Sequence, residues 1–169
     1  MNNKLQSPDT APPALSQTVQ ALPDSGQERQ ISPTLRALGA DTYDLWLPET
    51  RSLDRFLTPD EIIEGVVYGW YHLQSGRPPG RGLLVATKHR LILIDHKPLF
   101  LHASEISYEG VRGISCGSTG FVSTVTLSTR MGEVGIRTFN RHVTIIFVNA
   151  VEAHLFNKPA EFRPLTEYS

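Results

Sequence analysis

Gly82-Leu-Leu-Val-Ala-Thr-Lys-His-Arg-Leu-Ile-Leu-Ile-Asp95 holds two short apolar runs, Leu83 to Ala86 and Leu91 to Ile94, folded about a polar Thr-Lys-His-Arg centre. Aliphatic runs on either side of a polar break read as a β-hairpin. Neither run alternates polar with apolar residues, so both faces of the hairpin require burial. One face meets an opposing sheet. The other needs a cover, supplied either by the segment Thr34 to Leu57 or by another subunit, and the intramolecular cover is favoured. Lys88-His89 lacks the Asn or Gly that two-residue hairpin turns favour, so a four-residue turn is expected there.

Strand-like runs continue outward from this hairpin at the spacing of an all-β unit. Ile62 to Leu73 precedes it and ends at a Ser-Gly-Arg-Pro-Pro-Gly loop. Leu99 to Tyr108, Val111 to Ser118, Val122 to Thr129 and Val134 to Phe139 follow, separated by Glu109-Gly110, Ser118-Thr-Gly120 and Arg130-Met-Gly132. The hairpin supplies Leu83 to Thr87 and Arg90 to His96, so seven strands are expected. Arg141 to Leu155 reads two ways: Val143-Thr-Ile-Ile-Phe-Val148 has strand propensity, yet Val143, Ile146, Phe147, Ala150, Val151 and Leu155 fall on one helical stripe, and a helix capped by Asn140 is favoured. This helix is expected to cover one open end of the sheet structure.

Upstream, Thr58-Pro-Asp-Glu61 has the pattern of a capping box with Pro at the first helical position, which predicts about one helical turn. Thr34 to Leu57 carries apolar anchors, including Leu35, Leu38, Leu45, Trp46, Leu53 and Phe56, broken by Gly39 and Pro48, and is expected to form one or two short helices packed on the body. Residues 1–33 are rich in Pro, Ser, Gln, Asp and Thr and read as a disordered tail. The domain is thus expected over residues 58–156, preceded by a transition segment at 34–57 and followed by a C-terminal tail at 157–169.

The chain of 169 residues is 40% hydrophobic and 20% charged, which suits one globular domain with tails. Its single cysteine, Cys116, can form no intramolecular disulfide, so a reducing compartment is inferred; its strand position predicts a small core residue. No apolar run approaches the roughly 18 residues of a membrane span, and the start of the chain has no apolar signal region. A cytoplasmic location is expected. The net charge of −1 hides an asymmetry: residues 1–65 carry 5 Lys+Arg against 10 Asp+Glu, and residues 66–142 carry 9 against 4. An acidic leader and a basic β body attract each other intramolecularly, or the basic part attracts a phosphate-bearing partner.

Seven short strands closed by a C-terminal amphipathic helix is the outline of a pleckstrin-homology-like (PH-like) fold, and the chain resembles bacterial PH domains of the YokE type. The resemblance rests on Leu57-Thr-Pro-Asp-Glu-Ile62 leading to Gly65 and Gly69, on Gly82-Leu-Leu-Val-Ala-Thr87 with Arg90-Leu-Ile-Leu-Ile-Asp95, on Glu105-Ile-Ser-Tyr108 with Val111 to Ser115, and on the closing helix. It implies a mainly β, PH-like seven-stranded antiparallel barrel or sandwich in a bacterial cytoplasmic protein. The long leader and the Lys88-His89 turn depart from the pattern.

No catalytic constellation is visible. The six histidines are scattered without metal-ligand spacing, no phosphate-binding loop is present, and Leu47-Pro-Glu-Thr-Arg51 lacks the following Gly and apolar anchor of a sortase signal. Neither a cofactor nor a metal is expected. Arg77 and Arg81 lie in the loop after the first strand, and Lys88, His89 and Arg90 in or near the next turn; gathered at one open end, they would form a basic site for anionic lipid or another phosphate. The favoured function is a non-catalytic module for contact with a protein partner or for homo-oligomerisation. Peripheral contact with an anionic membrane is the alternative, and nucleic-acid binding lacks the aromatic and basic interleaving it needs.

Overall fold

The computed structural model describes residues 31–73, 79–97 and 100–156. The expected tails, up to residue 30 and from residue 157, and the candidate Arg77 lie outside these residues. Seven strands form: β1 (Ile63–Leu73), β2 (Gly80–Thr87), β3 (Arg90–Lys97), β4 (Phe100–Ser107), β5 (Val111–Thr119), β6 (Val122–Thr129) and β7 (Gly132–Thr138). They make one antiparallel sheet in the order β4-β3-β2-β1-β7-β6-β5, followed by helix α4 (Arg141–Phe156). The fold is therefore mainly β, as the strand pattern predicts. Its strand order is consistent with a PH-like sandwich, and β4 and β5 do not pair, so the sheet is not closed into a barrel.

The continuous apolar runs explain the layering. Leu84, Ala86, Leu91 and Leu93 project into a core with Val67 and Tyr71 of β1, Val125, Leu127 and Ile136 of the far strands, and Phe147 and Val151 of α4. Leu83, Val85, Ile92 and Ile94 project the other way, with Val66 and Tyr68, into a second core closed by Ile31, Leu35, Leu53, Phe56 and Leu57. The cover on the second face is thus the chain's own N-terminal segment. Ile31, on the tail side of the expected boundary, is buried in it. Between Ala86 and Leu91, the last registered pair, four residues make the turn.

The covering segment is a chain of short helices: α1 (Ile31–Ala37), α2 (Thr42–Trp46), α3 (Pro48–Ser52) and a 3-10 turn at Leu53–Phe56. Asp41 caps α2 by accepting from the Asp44 N–H (2.8 Å), and Asp44 accepts from the Asp41 N–H (3.1 Å). Pro48 opens α3, where its missing N–H costs nothing. The Thr58-Pro-Asp-Glu61 stretch, expected to be helical, is a single turn closed by the Glu61 N–H on the Thr58 carbonyl (3.0 Å). Its carboxylate reaches back to the Thr58 N–H (3.1 Å), as a capping box requires, but no helix follows because Ile63 enters β1 two residues later.

Helix α4 begins at Asn140, whose Oδ1 accepts from the His142 and Val143 N–H groups (3.1 and 3.4 Å). The same side chain donates through Nδ2 to the Gly39 carbonyl (3.0 Å) and to Asp44 Oδ2 (3.3 Å), tying the covering segment to the helix start. Gly65 lets α4 approach β1, since a methyl group there would lie 2.8 Å from the Phe147 Cα. Cys116, expected in the core, is exposed: β5 is an edge strand whose second half extends past the apolar interior.

Leu53, fully buried between the cover and the sheet, tests the second core. Leu53→Ala is expected to cost about 2–5 kcal/mol in urea unfolding, the range for a buried leucine. A loss within about 0.5 kcal/mol, typical of surface positions, would show that the segment does not seal this face.

Candidate functional site

The basic residues singled out in the sequence do not gather. Arg81 stands near the start of β2 and Lys88 just past its end, so seven residues of extended chain separate them, roughly 23 Å at about 3.3 Å per residue. Successive turns of a meander lie at opposite ends of its strands, which is why the expected basic end does not form. Lys88 and His89 are exposed at the β2–β3 turn.

Arg90 has an internal role. Its Nε and Nη2 donate to the two carboxylate oxygens of Glu61 (2.9 and 3.0 Å), its Nη1 to Glu105 (2.8 Å) and its Nη2 also to the Phe56 carbonyl (2.9 Å). The Thr87 hydroxyl donates to Glu61 Oε1 (2.7 Å) and accepts from the Arg90 amide (3.2 Å). This part-buried network joins the end of the covering segment to β2, β3 and β4. Burial works to raise the Glu61 carboxyl, but Arg90, Thr87 and the Thr58 N–H outweigh it and hold the group at about 2.

A different constellation lines a cleft of about 310 Å³ between the covering segment and the outer face of the sheet. Strand register builds one wall: Trp70 on β1 pairs with Arg81 on β2 and with Arg137 on β7, which sets an Arg-Trp-Arg row across three strands. Gly69 permits the close approach of β7, because a side chain there would overlap the Arg137 carbonyl. The Arg81 guanidinium lies 5.3 Å from the Trp70 ring centre and 5.9 Å from that of Tyr43 on α2, and donates to the Tyr43 hydroxyl. Trp70, Tyr43 and Phe139, which follows β7, remain 53%, 59% and 75% exposed around the mouth.

The opposite wall is acidic and comes from the cover: Asp41, Asp44 and Glu49. Asp44 is structural, and burial raises its carboxyl above the ordinary range, an effect that the Asp41 N–H and the Asn140 amide offset only in part. Glu49, 6% exposed, directs no side-chain hydrogen bond or ion pair to any described residue. On the floor, Tyr68 is 4% exposed, and its hydroxyl has no hydrogen-bond partner among the described residues. Thr50 lies close enough to influence it, but the Thr50 hydroxyl donates to the Asp44 carbonyl (2.6 Å).

Of the five candidates from the sequence, then, Arg81 alone lines this cleft; Lys88, His89 and Arg90 stand elsewhere and Arg77 is outside the described residues. Tyr43, Glu49, Tyr68, Trp70, Arg137 and Phe139 carried no motif, since their proximity depends on register and on where the cover lands. Their one legible signal was the charge split, which places acidic residues on the cover and arginines on the body. Among the described residues no three His, Cys, Asp or Glu side chains gather as a metal site requires, and no helix is long and apolar enough to cross a membrane. No family model matches the chain, and no curated protein matches it.

The Glu61 carboxyl generates a pH prediction. Held near 2 in the fold against about 4.5 unfolded, it contributes stability that is complete above pH 4.5 and is lost as the pH falls from there toward 2. The contribution is on the order of 2–3 kcal/mol. Glu61→Gln is expected to lower the urea midpoint at pH 7 and to flatten its fall between pH 5 and 2; an unchanged acid limb would refute the assignment.

Proposed function

We propose that this chain is a PH-like, non-catalytic interaction module of the YokE-like type, working in a bacterial cytoplasm, and that it takes a segment of a partner protein in the cleft between the cover and the sheet. The supporting observation is the Arg-Trp-Arg row with its aromatic rim. Trp, Tyr and Arg are the side chains that most often dominate protein interfaces, because they combine large contact area with directional polar groups. Here Trp70, Tyr43, Arg81, Arg137 and Phe139 line one concave site instead of being scattered over the surface. A second copy of the chain is a partner of the same kind.

The reading as a site for anionic lipid or phosphate is weaker on electrostatic grounds. The two cleft arginines face three carboxylates, and like charge repels a multiply charged phosphate. Lys88 and His89 lie too far along β2 to contribute.

Selection of a displayed peptide library on the full chain tests the proposal. Bound peptides are expected to lose about tenfold or more in affinity on Trp70→Ala or Arg81→Ala, with far-UV circular dichroism unchanged. Absence of any peptide dependent on these residues would overturn it, as would salt-sensitive binding to anionic vesicles abolished by Arg81→Ala. Mass rising with concentration in light scattering, and reversed by Trp70→Ala, would assign the second copy as the partner.

A further inference from the structure

Resting on the reading of the cleft as a protein-binding site, we infer that its interior selects a dipolar segment: a Lys or Arg side chain of the partner enters to Glu49 and Tyr68, and a neighbouring Asp or Glu meets Arg81 and Arg137. Two independent observations carry this. First, the walls are charged oppositely yet make no ion pair across the cleft among the described residues. Second, the Tyr68 hydroxyl, on a side chain more than nine-tenths buried, lines it without a hydrogen-bond partner among the described residues, and Glu49, 6% exposed, lines the same cleft.

A carboxylate withdrawn from water is costly unless a cation or hydrogen-bond donors meet it. An entering ammonium or guanidinium supplies both, donating to Glu49 and to the Tyr68 oxygen. The methylene stem of the entering side chain packs along the exposed Trp70 ring at the mouth. Arg81 cannot fill this role from within, because its guanidinium is already engaged by Tyr43 and Trp70 at the mouth. There it presents charge to an anion, with Arg137 on the adjoining strand as the second cation. The cleft volume of about 310 Å³ is at the small end for ligand sites, enough for about two residues of a partner and too little for a folded element.

The experiment uses the full chain and the peptides recovered from a displayed library, synthesised with acetylated and amidated ends and titrated by tryptophan fluorescence. Recovered peptides are expected to carry Lys or Arg within one or two positions of Asp or Glu. Replacing the basic residue by Gln in the peptide, which leaves the protein untouched, is expected to weaken binding about tenfold or more. Glu49→Gln should cause a comparable loss, and Tyr68→Phe a smaller one. Peptides that need Trp70 but are indifferent to their basic residue would overturn this inference and leave the protein-binding reading standing. Peptides indifferent to Trp70→Ala would overturn both. Free arginine binding as tightly as the peptide would overturn the assignment of a protein segment.

Discussion

The burial of both faces of the β2–β3 hairpin is the constraint from which the remaining architecture follows. An apolar strand pair can satisfy one face against the opposing strands and α4, but the other needs a second layer, and about 25 cal/mol per Å² of apolar surface removed from water is the drive to find one. Leu35, Leu53, Phe56 and Leu57 provide it from a segment of short helices that precedes the sheet. Because the segment docks only where the sheet is apolar, its edge falls at Trp70, the first residue beyond Val66 and Tyr68 on the outer face of β1. The cleft is the step between covered and uncovered sheet.

Opposite charge between cover and body is used in two ways. At one end the two are joined through Glu61 and Arg90, in a bidentate pair whose remaining donors reach Glu105 and the Phe56 carbonyl. Such a pair holds only because every group is satisfied, since a lone buried charge costs several kcal/mol. At the other end the opposing charges stand apart across open space. Asn140 lines this gap: its one amide caps α4 and also holds the loop at Gly39 and the Asp44 carboxylate. Helix, cover and cleft thereby share a single anchor.

Asp44 and Asn140 at the cleft serve the fold, whereas Arg81 and Arg137 make no ion pair within it among the described residues. Arg90 looked, in the sequence, like a surface cation beside Lys88, yet it is the centre of the internal network. Arg81 looked the same and stays at the surface, held by rings instead of a carboxylate. The difference lies in the pleat and in the position of Glu61, which the covering segment delivers beneath the β2–β3 turn. Cys116 shows the complementary case, a residue in a correctly read strand that is exposed because the strand runs on past the core.

Local pattern determined the elements by itself. The seven strands, the α4 stripe with its Asn140 cap, the need for a cover on the Leu83 to Ile94 hairpin and the charge imbalance between leader and body are all readable there, because each follows from side chains within a few residues of one another. The open sheet and the row Arg81-Trp70-Arg137 belong to tertiary structure. So do the internal use of Arg90 and the placing of Glu49 and Tyr68 on the same cleft. Each joins residues from separate elements, and strand order, register and the docking position of the cover decide such contacts; nearest neighbours in the chain do not encode them.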